Sequence, residues 1–467
     1  MKHFISIQSL VLLFLLHSLV AIETDTWTAP MLKTEKKVLY SVIRSLVGDP
    51  WNGSDLYPDP CGWTPIPGVS CDLFKGLWYV TVVSIGPVQE NSLECDLAAE
   101  FSSRLFEFKR LKRLSFFDCF HRPIAIPRHN WENLAASLET LEFRSNPGLI
   151  GGIPTALMSL SKLQSLVLIE NGLSGELPAG IGNLSELKRL VLAGNRFSGR
   201  IPPSLGALDQ LLILDLSRNS LTGSIPTTVG GLKSLLKLDL SSNSIDGWLP
   251  FELGNLKNLT LLDLRYNRFS NGLPRSLLQM VSLEEILLSN NPIGGSLMES
   301  GWGSLKNLMV LDLSNMGLTG KIPESMAEMR RLRFLALDNN HLSGEIPPEM
   351  GEMPCINAVY LNGNHLTGEI GWSEGYIGKM GRRFAVWGNP DLCVSRGLVE
   401  KGVGPTGVKD CRNEGPGSSD PSGLKAEMGG GDLKENVGMG VSGCGGAYGR
   451  WRLCLVLLCL VLLHVAS

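Results

Sequence analysis

The chain has 467 residues with 42 Lys plus Arg against 45 Asp plus Glu; at a net charge of −3 it offers no broad basic surface, and nucleic acid is set aside as a partner. Length alone would allow two or three globular domains, but 53 glycines and an internal repeat override that prior.

The opening stretch MKHFISIQSLVLLFLLHSLVAIETDTW carries one Lys, an apolar run from Leu10 to Leu16, then small and acidic residues. That is the build of a secretory signal over 1–21, with cleavage expected after Ala21. Export places the cysteines in an oxidising compartment, where close pairs form disulfides rather than metal sites. Cys61 with Cys71, Cys95 with Cys119 and Cys393 with Cys411 are the expected pairs, and Cys355 is left over as a free thiol.

Residues 22–76 read as an N-terminal cap: an amphipathic helix within MLKTEKKVLYSVIRSLV, then the Trp-rich segment holding Cys61 and Cys71. Repeats occupy 77–390, entered through an irregular strand near WYVTVVSI, with about ten regular 24-residue coils from 138. Aligned on one Asn they read LETLEFRSN, LQSLVLIEN, LKRLVLAGN, LLILDLSRN, LLKLDLSSN, LTLLDLRYN, LEEILLSNN, LRFLALDNN and INAVYLNGN, ending at Asn146, Asn171, Asn195, Asn219, Asn243, Asn267, Asn291, Asn340 and Asn364. LxxLxLxxN is the leucine-rich-repeat pattern: a short strand turns its Leu side chains inward and its intervening residues onto the concave face. Asn, both donor and acceptor, serves backbone groups that no strand partner reaches. The LSGxIP segment that follows bends at Gly and breaks at Pro, setting the convex wall. One coil cannot cover its own Leu face, so stacking and end caps are required. The far cap is 391–411, closed by Cys393. Three irregularities stand out. Met316 replaces a ladder Asn, with Asn315 the expected substitute; SLMESGWG replaces the LP step at Leu297; and Cys119 holds an early Asn slot.

No H-E-x-x-H, P-loop or G-x-S-x-G is present, so neither catalysis nor a cofactor or metal is expected. His341 and His365 sit one repeat apart, but without a third ligand they read as loop residues. Outward positions around each LxL give a candidate ligand-binding face: Val191, Ile213, Asp215, Lys237, Asp239, Leu261, Asp263, Arg265, Phe334 and Tyr360. Val167, Ile169 and Leu287 extend its apolar part, a patch of the kind that marks interaction. The three Asp form either a locally stabilised stripe, with help from Ser217 and Ser241, or an acidic strip that accepts a basic partner residue. Sequons at Asn52, Asn183 and Asn258 are expected to carry glycans, the last two on the convex side.

Residues 412–441 are Gly, Ser, Pro and charge, a flexible linker. The small residues SGC at 442–444, the spacer GGAYGRWR and the apolar LCLVLLCLVLLHVAS form the signal for a glycosylphosphatidylinositol (GPI) anchor, attached at Ser442 with Gly443 as second choice and 442–467 exchanged for lipid. The other reading is a short membrane segment.

The cap, the LxGxIP flavour of the coils and the closing GNPDLC resemble plant leucine-rich-repeat receptor-like proteins. The resemblance implies an α/β solenoid with a parallel concave sheet and disulfide-closed caps at the outer face of the plasma membrane. It also implies a role in response to a beneficial root-colonising fungus. The expected function is a ligand-binding co-receptor without its own kinase, partnered by an extracellular protein, peptide or glycan and a membrane-spanning receptor kinase. An extracellular inhibitor of a microbial or wall-degrading enzyme is the leading alternative, and a wall scaffold the third.

Overall fold

The computed structural model describes residues 29–87, 92–402 and 404–411. The signal, linker and anchor segments, with Ser442, lie outside them. Two compact units divide at Ser244 and Ile245 within the expected run of repeats. In a chain where each coil leans only on its neighbours, such a division can fall between any two.

The first unit opens with helix α1 (Lys33–Val47), whose Val38, Leu39, Val42, Ile43 and Leu46 recur at helical spacing and are buried. Glu35 is buried with them. Its loss of solvent raises the carboxyl pKa against the opposing pull of the Val80 backbone hydrogen bond and Lys109. Strands β1 (Val69–Phe74) and β2 (Leu77–Ile85) form an antiparallel hairpin. Its two-residue turn, Lys75 and Gly76, has φ of 50° and 77°, and paired positive angles match the twist of the flanking strands. The Cys61–Cys71 disulfide, Cα atoms 5.6 Å apart, ties this hairpin to the loop before it.

From β2 the chain stacks in parallel: β3 (Arg113–Phe117), β4 (Thr140–Arg144), β5 (Ser165–Ile169), β6 (Arg189–Val191), β7 (Ile213–Asp215) and β8 (Lys237–Asp239). Leu141, Leu166, Leu190, Leu214 and Leu238 share one register row and are buried, so each coil covers the apolar face of the next. Behind the first coils Phe101, Phe116, Phe120 and Phe143 pack together, Phe101 over Phe120 at 4.5 Å and Phe116 over Phe143 at 5.4 Å. The Cys95–Cys119 disulfide closes this end. A 3-10 turn begins after each of Pro154, Pro178, Pro202 and Pro226, whose extended backbone stops the preceding segment.

A second parallel sheet, unforeseen from the sequence, joins Ile124–Ala125, Leu149–Gly151, Gly172–Glu176, Arg196–Gly199 and Ser220–Gly223. The LSG half of each coil therefore pairs with its neighbours as the LxL half does. Gly175, Gly199 and Gly223 close its strands at φ of 84°, 74° and 72°.

The second unit repeats the plan with β9 (Leu261–Asp263), β10 (Glu285–Leu287), β11 (Val310–Asp312), β12 (Phe334–Ala336), β13 (Ala358–Tyr360) and β14 (Phe384–Ala385), all parallel. Its outer strands Thr319–Gly320, His341–Gly344, His365–Glu369, Asp391–Val394 and Lys409–Asp410 pair likewise. Cys393–Cys411 binds the last two. Cys355, expected as a free thiol, is disulfide-bonded. Where the LP step is missing, Trp302 fills the wall, buried and donating its indole N–H to the Met298 carbonyl at 2.9 Å.

The Asn ladder works as its chemistry requires at most coils, although Asn195 Oδ1 is buried without a partner. Asn340 Nδ2 reaches the carbonyls of Leu313, Leu337 and Asp338, and its Oδ1 accepts from the N–H groups of Met316 and Leu318, each at 3.0 Å. Asn315 does not replace the Asn missing at 316; its side chain turns outward to Asn290 at 2.8 Å. Met316 is simply buried. The Ile293 N–H, which a ladder Asn at 316 would have served, turns instead to the Asn291 carbonyl at 2.8 Å, and the Leu288 carbonyl keeps Asn291 Nδ2. With both groups served, the substitution escapes the penalty of an unpaired buried polar group.

Candidate functional site

Parallel register places the outward residues in rows. In the first unit the first row is Arg113, Thr140, Ser165, Arg189, Ile213 and Lys237; the second is Ser115, Glu142, Val167, Val191, Asp215 and Asp239. Neighbouring strands lie about 4.8 Å apart, so side chains in a row touch.

That spacing changes what the face exposes. Val167 and Val191, expected as open apolar surface, are 1% and 5% exposed; with Ala193 they make a small buried cluster, and Ile169 and Ile213 pack over it. Lateral neighbours close over a β-branched side chain that alternation alone would leave in solvent. Ile213 is half-buried, while Leu212 and Leu236 at the strand entrances are exposed.

The carboxylates are internally matched. Lys237 Nζ lies 3.1 Å from Asp215 and 3.4 Å from Asp239. Burial alone would lower the Lys237 pKa, but the two carboxylates outweigh it and hold the ammonium above its usual value. Asp215 Oδ1 also accepts from the Ser217 backbone N–H at 3.1 Å and hydroxyl at 2.7 Å, and Asp239 does the same with Ser241. In the second unit Asp263 is buried and held by Arg265, whose Nη2 approaches to 2.6 Å. Asp312 accepts from Ser314 and from the Ser289 hydroxyl. The LDLS wording is thus a local bracket, carboxylate against the turn two residues on, and the strip has little left to offer a basic partner.

Elsewhere on the second unit's face, Leu261 pairs in register with Glu285 and Asp263 with Leu287. Phe334 and Tyr360 meet at 5.5 Å between ring centroids. Asp338 has its pKa raised, chiefly by burial and further by Asp312. Of the ten expected binding residues, the structure joins Asp215, Lys237 and Asp239, joins Asp263 with Arg265 and Phe334 with Tyr360, and buries Val191 and Asp263.

Arg189 is a residue the sequence reading passed over. It is half-buried on the first row, with its Nε shielded from water and without a hydrogen-bond partner. Burial pushes its pKa down and Arg144 adds to this; Glu142 and Asp215 pull the other way, but Glu142 is bound to Arg144 and Asp215 to Lys237. Which acids serve which cations is decided by packing between coils, so the sequence carried no signal that singled Arg189 out.

His341 and His365 stack, rings 5.8 Å apart and 11° from parallel. Among the described residues no group of three or more His, Cys, Asp or Glu could hold a metal ion. Asn52, Asn183 and Asn258 are exposed, Asn183 closing the 3-10 turn Ala179–Asn183 and Asn258 lying three positions before β9. No described helix is long and apolar enough to cross a membrane.

Leucine-rich-repeat family models match residues 185–245 and, in single units, 258–280, 307–329 and 331–353. Among curated proteins, Piriformospora indica-insensitive protein 2 of Arabidopsis thaliana is 57% identical over 150 residues, covering 32% of this chain and 35% of that relative. Receptor like protein 29 of the same plant is 36% identical over 171 residues, 35% and 36% of the two chains. The chain thus spans about a third of the length of these relatives. Among solved structures, PEPR1 with AtPEP1 aligns at a TM-score of 0.62 and 28% identity, covering 78% of this chain and 52% of that one. The Arabidopsis receptor kinase HAESA ectodomain, in complex with an IDA peptide hormone, aligns at 0.54 and 34%, covering 62% and 47%. In-register strands, an Asn ladder, disulfide-closed ends and these likenesses make this chain a leucine-rich-repeat solenoid, similar in sequence and fold to plant receptor-like proteins.

Proposed function

We propose that the chain is an extracellular ligand-binding co-receptor that takes a peptide, protein or glycan on its strand face and signals through a membrane-spanning receptor kinase. The observation that carries this reading is the likeness to receptor ectodomains solved with peptide hormones, HAESA with IDA and RGFR1 with RGF2 among them. One further HAESA structure includes a co-receptor, SERK1, the kind of partner proposed here. Similarity to Piriformospora indica-insensitive protein 2 makes response to a beneficial root fungus the proposed biological setting.

Attachment to the outer leaflet through a GPI anchor at Ser442 fits the small-residue, spacer and apolar sequence of 442–467. Phosphatidylinositol-specific phospholipase C on intact cells tests it: the full chain is expected to pass from the membrane fraction to the medium. Retention in the membrane would contradict the anchor. Failure of the chain to crosslink to any kinase on untreated cells would contradict the co-receptor reading.

A further inference from the structure

On the first unit's strand face most cations have partners: Arg144 is bound to Glu142, Arg218 to Glu170 and Lys237 to two carboxylates. Arg113 and Arg189 form no ion pair within the described residues, and both are half-buried on the same register row. Three strand steps separate β3 from β6, placing the two guanidinium stems about 14 Å apart. Between them lie Thr140 and Ser165, small and hydroxylic; past Arg189 the row continues to the aliphatic Ile213, with exposed Leu212 beside it.

We propose that this row is a docking track for an extended acidic peptide that crosses β3 to β7, one carboxylate side chain on Arg113 and a second on Arg189. The inference deepens the strand-face reading above and rests on it. The partner is an acid rather than a base because the carboxylates of this face are already bound internally, while the Arg189 Nε is buried without an acceptor. Leaving such a donor unmet is unfavourable, and a carboxylate that draws the half-buried guanidinium outward relieves it. At about 3.3 Å per residue, side chains four apart span the distance between the two arginines. A side-chain acid fits better than a chain terminus, because the row continues past Arg189 onto Ile213 and a ligand must run over the arginine. The next residue that faces the sheet, two positions beyond the second acid, is aliphatic and lies on Ile213 and Leu212.

The test is selection of a random dodecapeptide library on phage against the purified full chain, followed by titration of the leading synthetic peptide. Selected peptides are expected to carry Asp or Glu four positions apart. Arg189→Gln and Arg113→Gln should each weaken binding by about tenfold or more, Arg189→Lys by less, and Arg200→Gln, just past the outer strand Arg196–Gly199, not at all. Esterifying the peptide's acids should abolish binding. Peptides lacking that acid spacing, an empty selection, or unchanged affinity in Arg189→Gln with unchanged melting would overturn the proposal. If Ile213→Asp removes binding while both arginine variants keep it, the track is wrong and the strand-face reading survives. If none of these variants alters binding, both fall.

Discussion

Asn340→Ala is expected to destabilise the second unit by about 4 kcal/mol, among the largest effects of any single polar substitution in the chain. The side chain is 3% exposed and joins five backbone groups from two coils. Alanine leaves the Met316 and Leu318 N–H groups buried without an acceptor and takes a donor from three carbonyls. The carbonyls lose least, since each has a second lone pair. Asn315→Gly provides the contrast. That residue faces outward to Asn290 at φ 51°, a conformation Gly adopts freely, so melting should barely move. Thermal denaturation of the two variants checks the pair. Equal shifts would mean that the ladder contributes nothing beyond its neighbours.

Gly206→Val should cost about 3 kcal/mol for a different reason. Gly206 lies in the 3-10 turn Pro203–Ala207, and a Cβ there would stand 2.2 Å from the Thr228 carbonyl oxygen of the next coil. Gly182 meets the Ser204 carbonyl in the same way at 2.3 Å. The obstacle is backbone, so no rotamer change relieves it, and the turns must separate. The Thr228 hydroxyl, which reaches the Pro203 carbonyl at 2.7 Å, would be displaced with them. Gly175→Ala is the comparison. It meets no atom within 4 Å and should lose only about 1 kcal/mol from its left-handed φ of 84°. Denaturant titration separates the two, and a Gly206→Val chain as stable as Gly175→Ala would show that turn spacing is not limiting.

Much of the fold was legible because a 24-residue period repeats one physical solution. Inward Leu, ladder Asn and the Gly-x-Leu/Ile-Pro bend recur at fixed offsets, and cysteine proximity after export was enough for Cys61–Cys71, Cys95–Cys119 and Cys393–Cys411. The outer parallel sheet was not legible, since its strands hold Ser, Thr and Gly rather than a hydrophobic alternation. Also missed was the residue before each ladder Asn, which is left-handed from Ser145 and Glu170 through Arg218, Ser242 and Tyr266 to Asn339. Gly194, Gly363, Asn290, Asn315 and Asn339 in that slot were the available clue.

Exposure on the strand face was read less well, because alternation says which way a side chain points and not what its neighbour does. Val191 is covered by Ile213, Asp263 by Arg265, and Asp215 and Asp239 share the one ammonium of Lys237. Arg189 escaped notice because its importance lies in what its neighbours are already bound to.

The most direct test places a glycan on each wall. Glu285→Asn with Leu287→Thr creates a sequon on the strand face; Glu328→Asn with Arg330→Thr creates one on the outer wall, where both residues are exposed. Occupancy is confirmed by mass spectrometry, and each variant replaces the native chain in roots exposed to a beneficial fungus, the setting proposed above. The strand-face glycan is predicted to abolish the proposed response to the fungus and the outer one to leave it intact; an intact response with residue 285 fully glycosylated would contradict the strand face as the working surface.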